Sequence, residues 1–317
     1  MKIVILDGYA VNPGDLSWDF LNPFGEVTVH ERTSPDQVIE RCMGADILLT
    51  NKTLITEGLL AACPTVKLIC VLATGYNVVD CAAARARNIP VCNVPAYSTH
   101  SVAQMTFALL LELCNRVGHH SNAVHEGKWC RNQDFCFWDY PQMELAGKTM
   151  GIIGFGQIGR AVGMIAKAMG MRVLAYNRSR CAEGEAIGEY VDLDTLLKES
   201  HVVSLHCPLT DLTAGIINGG SLAKMKDGAI LINTARGPLV DEQAIAEALR
   251  GGKLRGFAAD VISAEPMLDT NPLLGAPNCI LTPHIAWAPL EARKRIMACT
   301  QRSIEGFLAG NLINVVN

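Results

Sequence analysis

Short apolar runs recur through the first hundred residues, each separated from the next by a stretch of helical pattern: KIVIL, then EVTVH, ADILLT, KLICVLA and IPVCNV. Strands spaced by helices in this way predict a mostly parallel sheet. Asn93 to Pro95, followed by YSTHSVAQ, marks a break. From Ser101 a long helical pattern runs through FALLLELCNRVGHHSNAV, with an apolar face wider than a surface helix needs, which makes it a candidate inter-domain or dimer helix.

A second and stronger series begins at KTMGIIGFG and continues with MRVLAYN, HVVSLHCP, GAILINTAR, RGFAADV and CILTPH, most of these separated by helical segments such as DEQAIAEALRGG. The chain then finishes in a helix, LEARKRIMACTQRSIEGFLAGN, and a short extended tail, INVVN. No tandem repeat or low-complexity segment interrupts the pattern. The expected fold is α/β, with two units and a ligand held in the cleft between them.

Composition narrows the partners. Half of the 317 residues are hydrophobic, enough for a well-buried core. The net charge is only −4 with acidic and basic residues interspersed, so neither nucleic acid nor an anionic membrane is favoured over a small molecule. The twelve cysteines are scattered singly, without the pairs or His clusters of a zinc site, and read as small buried hydrophobes in a reducing cytosol. The first apolar run is closed by Asp7 and the run MTFALLL by Glu112, too short for a signal peptide or a membrane span. A soluble, cytoplasmic protein is expected.

The first candidate chemistry is GIIGFGQIGR, which sets Gly154, Gly156 and Gly159 in GxGxxG spacing after an apolar strand and at the start of a helix. In a dinucleotide fold the first glycine makes the tight turn, the second lets a pyrophosphate approach the backbone and the third permits close helix packing, with Gln157 and Ile158 opening the helix whose amides bind phosphate. The next strand ends in VLAYNRSR, where an acidic residue would bind the ribose of NAD. Here Asn177 carries no charge to repel a 2′-phosphate, Arg178 and Arg180 can pair with one, and Ser179 can donate to it, which favours NADP(H) over NAD(H). The competing reading leaves the arginines as solvated surface charge and Asn177 on a ribose hydroxyl.

Three later strand ends carry Arg236, Glu265 and His284. Ligands of an open parallel sheet bind beyond the carboxyl ends of its strands, so the three can converge. Arg236 can fork a substrate carboxylate and polarise a carbonyl; His284 can give a proton; Glu265 can hydrogen-bond the other ring nitrogen, fix the tautomer and raise the imidazole pKa. This is a kit for reducing a 2-keto acid, and it needs no metal. For His119, His120, His201 and His206 taken singly, the structural reading is preferred.

The stretches GIIGFGQIGR, LHCPLT, LINTARGPLVDE, AADVISAEP and LTPHIAWA resemble the D-isomer-specific 2-hydroxyacid dehydrogenases over essentially the whole chain. Through LLTNKT, VLATGYNVVD and NVPAYSTHSVAQ the resemblance is to the glycerate dehydrogenase, or hydroxypyruvate reductase, branch. It implies two Rossmann-like doubly wound domains: a discontinuous substrate domain, residues 1–98 and 286–317, and an inserted NAD(P)-binding domain, 99–285. It also implies a homodimer through the helix after Ser101.

By the same resemblance Arg236, Glu265 and His284 are the catalytic set, with hydride coming from nicotinamide C4 and the proton from His284. The backbone amides of Thr74 and Gly75, with Lys52 nearby, bind the substrate carboxylate. Thr106, His206, Cys207, Pro208, Thr234, Ala235 and Asp260 line the dinucleotide site, Asp260 at the nicotinamide carboxamide. Gln104 stands where many relatives have Glu, and Asn177 where NAD-preferring relatives have Asp. Trp138, in the aromatic stretch FCFWDY, is either a substrate-pocket wall reaching a partner subunit or part of a surface loop. The implied reaction is reduction of hydroxypyruvate or glyoxylate to D-glycerate or glycolate; an aryl-pyruvate reductase and a nucleotide-sensing corepressor remain as alternatives.

Overall fold

A computed structural model describes all residues from Met1 to Asn317, and the chain divides into two compact units, Met1–Ser98 with Ala288–Asn317 and Thr99–Trp287. In the first unit, β1 (Lys2–Ile5), β2 (Glu26–Val29), β3 (Ile47–Thr50), β4 (Leu68–Val71) and β5 (Val91–Cys92) form a parallel sheet in the order β2-β1-β3-β4-β5. Every residue of β3 and β4 is buried, which explains runs such as ILLT and LICV that do not alternate with polar residues.

The C-terminal segment belongs to this unit because specific bonds hold it there. Arg293, on the helix Leu290–Leu308, is only 8 % exposed, yet both of its terminal nitrogens lie 2.6 Å from the Asp15 carboxylate. Its remaining donors reach the carbonyls of Ala288 and Val11 at 2.8 and 3.2 Å. The guanidinium holds the Asp15 carboxyl below the usual carboxylate range. Further on, Val315 bridges Cys92, Val316 N–H donates to Val91 C=O, and the Asn317 side chain accepts from Val91 N–H and donates to Ile89 C=O. These residues cover the free edge of β5, which would otherwise offer unpaired backbone groups.

The second unit contains β6 (Thr149–Ile153), β7 (Arg172–Tyr176), β8 (Glu189–Tyr190), β9 (Val202–Leu205), β10 (Ala229–Asn233), β11 (Leu254–Ala259) and β12 (Cys279–Leu281). All pair in parallel, in the order β12-β11-β10-β9-β6-β7-β8. The order reverses between β6 and β9, which is where a doubly wound sheet opens a crevice for its ligand. The two-residue edge strand β8 was not apparent in the sequence, because two residues establish no periodicity.

Two expectations are corrected. The long helix after Ser101 is two helices, Thr99–Asn115 and Val117–His125, because Arg116 takes the left-handed conformation at φ +51°. Its guanidinium hydrogen-bonds Asn278 and lies 5.3 Å from the Tyr140 ring centroid, contacts that a continuous helix would redirect. The breadth of the first helix's apolar face is explained inside this unit, where Phe107, Leu110 and Leu113 are buried against the helix Gln157–Ala168 and the sheet. The second crossing between units falls after Trp287 rather than at 286, since the Asp260 carboxylate holds the backbone N–H groups of Ile285 and Ala286 in the second unit. No helix is long and apolar enough to cross a membrane.

Replacing Arg293 with Leu should lower stability by about 1–3 kcal/mol, because the carbonyls of Val11 and Ala288 lose their buried donor. A fall in the denaturation midpoint of the intact protein, with the native fold retained, is the expected result.

Candidate active site

The glycine-rich turn follows β6 and is shaped by close backbone approaches. Gly154 has φ +93°, and a Cβ there would lie 2.3 Å from the backbone nitrogen of Cys207, at the end of β9. A Cβ on Gly159 would lie 2.2 Å from Gly154 C=O. At Gly156 the same atom would meet nothing within 4 Å, so this glycine faces open space. The twelve-residue helix Gln157–Ala168 starts there without a side-chain cap, and Gly156 and Gln157 are exposed; Ile158 is half-buried behind them. Uncapped first-turn amides beside an open glycine fit a dinucleotide pyrophosphate.

Across the crevice, His206 Nε2 lies 2.8 Å from Ser204 Oγ, and burial pushes its pKa down to about 3, so the ring is neutral at pH 7. Cys207 is buried, its thiol pKa raised by burial, whereas Pro208 is exposed.

At the end of β7, Asn177 Oδ1 accepts from Phe155 N–H at 3.1 Å, and Asn177 Nδ2 donates to Ser179 C=O at 2.7 Å. One carboxamide thus ties the glycine turn to the strand end. Arg178, Ser179 and Arg180 are exposed, with the Arg180 guanidinium 5.7 Å from the Tyr190 ring centroid. Sequence reasoning missed Arg160, whose Nη1 lies 3.5 Å from both Cys181 Sγ and Phe155 C=O and adds a third guanidinium to this end. Its position directly after the third glycine was the available signal.

Arg236, Glu265 and His284 follow β10, β11 and β12, three neighbouring strands. His284 Nδ1 lies 2.6 Å from Glu265 Oε2, and Glu265 Oε1 accepts from Ile262 N–H at 3.3 Å. His284 has φ +54°, a conformation uncommon for residues other than glycine that persists where surrounding bonds impose it. Asp260 supplies most of those bonds. Its C=O accepts His284 N–H at 2.8 Å, and its carboxylate accepts from Thr282 Oγ1, Ile285 N–H and Ala286 N–H at 2.5, 2.9 and 2.7 Å. Asp260, expected at the nicotinamide carboxamide, is 1 % exposed and spends these contacts on the turn that carries His284.

Arg236 is exposed, at a turn shaped by buried Asn233, which accepts from Ala235 N–H at 3.1 Å and donates to Arg236 C=O at 2.8 Å. A Cβ on Gly237 would lie 1.9 Å from the carbonyl carbon of Ile262, so glycine is what lets the Arg236 turn touch the loop leading to Glu265. Thr106 and Thr234 are buried with their hydroxyls 3.1 Å apart, joining the helix Thr99–Asn115 to β10, and Ala235 is half-buried next to them.

In the first unit, Lys52 is exposed after β3, and Thr74 and Gly75 follow the adjacent β4. Asp7, which sequence reasoning also missed, accepts from the backbone N–H groups of Asn51, Lys52 and Thr53 at 2.7, 2.6 and 2.7 Å and from Thr53 Oγ1 at 3.0 Å. Asn51 Nδ2 donates to Leu72 C=O at 2.9 Å, and Asn93 Nδ2 to Thr74 C=O at 2.7 Å. Three polar side chains therefore lace the carboxyl ends of four neighbouring strands and fix the loops of Lys52 and Thr74. Trp138 is 66 % exposed on a segment held to the helix Val117–His125, where Asp139 meets His119 at 2.7 Å and also Lys128.

A family model described as the NAD binding domain of D-isomer specific 2-hydroxyacid dehydrogenase matches residues 107–286, more than half of the chain. The chain belongs to the D-isomer-specific 2-hydroxyacid dehydrogenases. It is 53 % identical to a hydroxypyruvate reductase of Blautia hydrogenotrophica over all of both chains. Its fold matches that of an acyclic imino acid reductase in complex with NADPH and D-Arg, at TM-score 0.87 and 32 % identity with full coverage of both chains. It also matches a D-lactate dehydrogenase of Aquifex aeolicus complexed with NAD and lactic acid, at TM-score 0.84 and 32 % identity, covering 98 % of this chain and 96 % of that one. The chain is thus a nicotinamide-dependent oxidoreductase with two Rossmann-like domains.

Replacing Gly237 with Ala should displace the Arg236 turn and lower kcat/KM by about 100-fold, the order of loss that follows a misplacement near 1 Å. Steady-state kinetics alongside an unchanged far-UV circular dichroism spectrum would check it.

Proposed function

We propose that the enzyme reduces hydroxypyruvate, and with it glyoxylate, to D-glycerate and glycolate, preferring NADP(H) to NAD(H). The observation that carries the chemistry is the 2.6 Å contact between His284 Nδ1 and Glu265 Oε2 beside the Arg236 turn. The substrate assignment is supported by the 53 % identity to a hydroxypyruvate reductase. When bound, the nicotinamide supplies the hydride that reaches C2 of the keto acid.

The residues of the chain do the rest. Arg236 binds the substrate carboxylate through its planar fork and draws electron density from the carbonyl. With Nδ1 committed to Glu265, His284 keeps Nε2 for the substrate and delivers its proton from there to the new alkoxide oxygen. Glu265 fixes the ring and offsets the positive charge that the imidazolium carries before transfer. Lys52 and the amides of Thr74 and Gly75 are assigned to the substrate carboxylate, with Asp7 holding the Lys52 loop. Gly154, Gly156, Gln157, Ile158 and Gly159 are assigned to the pyrophosphate, and Asn177, Arg178, Ser179 and Arg180 to the 2′-end, where Arg160 adds charge.

Exposed Trp138 is assigned to a pocket wall offered to a second subunit of a homodimer. Twelve free cysteines accord with a cytoplasmic setting.

Steady-state rates with hydroxypyruvate, glyoxylate, pyruvate and phenylpyruvate, each with NADH and NADPH, test the substrate. A higher kcat/KM for phenylpyruvate than for hydroxypyruvate would replace the reading with an aryl-pyruvate reductase. His284→Ala should lower kcat between about 100- and 10,000-fold while cofactor affinity, read by nucleotide fluorescence, is retained. Asn177→Asp keeps the acceptor for Phe155 N–H, loses the donor to Ser179 and adds a negative charge. It should move the NADH to NADPH ratio of kcat/KM toward NADH by about tenfold; a wild type that already prefers NADH would end the NADP(H) assignment.

A further inference from the structure

We propose that a cavity at the amino-terminal ends of the second unit's strands is a binding site for a small polyanion, separate from the residues assigned to dinucleotide and substrate. The cavity measures about 450 Å³ and is lined by Lys148, His201, Lys226 and Arg255, together with Glu144 and Asp227. Lys148 immediately precedes β6, His201 precedes β9, Lys226 lies before β10 and Arg255 is the second residue of β11. Those four strands are consecutive neighbours in a parallel sheet, so their amino ends gather the basic groups at one edge. The glycine turn, His206, Arg236 and Glu265 lie beyond the opposite, carboxyl ends. Strands of four to six residues put roughly 13–20 Å between the two edges.

The charges at this edge are not balanced by the protein. Asp227 is engaged by Lys253 at 2.7 Å, and Glu144 is exposed and forms no ion pair. Lys148, Lys226 and Arg255 are each half-buried and none is in an ion pair; the one hydrogen bond of the Arg255 guanidinium goes to the carbonyl of Pro141. A lysine or arginine of this exposure buries its aliphatic stem and keeps its charge in water, so all three cationic heads are open to an anion in the cavity. Composition does not demand the arrangement, since the chain as a whole carries −4.

His201 completes the lining as a donor rather than a charge. Its Nδ1 accepts from Thr149 N–H at 3.1 Å, which leaves the proton on Nε2. Burial, and then the nearby Lys226 and Lys148, keep its pKa below the ordinary histidine value. Two ammonium groups, one guanidinium and one imidazole N–H suit a compact anion with two or more negative charges, whether its oxygens belong to phosphate or to carboxylate groups. The volume falls within the range of small-ligand sites.

The test uses the full chain saturated with NADPH, so that the glycine turn is occupied, at constant ionic strength. Thermal denaturation and titration calorimetry are run with inorganic phosphate, pyrophosphate and citrate. A saturable rise in Tm with at least one probe is expected, and the phosphate and citrate arms distinguish phosphorylated from carboxylated ligands. The Lys148→Gln/Lys226→Gln double variant should bind about tenfold or more weakly, with kcat/KM for the keto acid unchanged in the absence of the anion. Glu144→Gln, which removes a negative charge from the rim, should bind more tightly. Absence of a saturable shift with all three probes would overturn the proposal, as would equal affinity in wild type and both variants.

Discussion

The buried carboxylate of Asp260 is the contact on which the reacting end of this enzyme depends. Three donors from one turn converge on it, and the same residue's carbonyl takes the His284 N–H. An imidazole on left-handed backbone would relax if it were held only by its own rotamer. Held instead from beneath, it presents Nδ1 to Glu265. The geometry of the pair therefore originates in a side chain that touches neither the His284 ring nor Glu265 in any of these bonds, which is the kind of preorganisation that avoids reorganisation during a reaction.

Related devices recur at several loops that leave the strands. Gly154 against Cys207 and Gly237 against Ile262 bring backbone to backbone where any β-carbon would collide, and Asn233, Asn177 and Asp7 then tie the loops by hydrogen bonds. Parallel sheets favour this arrangement because all the carboxyl ends face one way. Steric exclusion sets the distances between neighbouring loops, and polar side chains set their orientation.

Much of this was readable from the chain. The apolar runs and the glycine spacing indicated two parallel α/β sheets, and the strand-end positions of Arg236, Glu265 and His284 suggested a reductase, because these signals are local. What escaped notice was long-range. Asp7 meets partners 44 to 46 residues away, and Asp260, which the sequence placed only at the nicotinamide, meets partners 22 to 26 residues on, contacts that leave no mark in either stretch. The helix break at Arg116 is likewise set by Asn278, which lies 162 residues distant. The basic cavity gathers residues from four separate strands, each an ordinary surface cation when read alone.

The covering of β5 bears on the order in which the protein can be made. The Asn317 side chain that bonds Val91 N–H stands 226 residues further along the chain. During synthesis, therefore, β5 emerges and the whole Thr99–Trp287 unit follows before the strand's outer edge can be closed. For that interval the nascent first sheet carries an unprotected border of backbone donors and acceptors, the kind of surface to which another strand can add. The ribosome must deliver the second domain, able to condense on its own contacts, while the first waits for the segment that completes it.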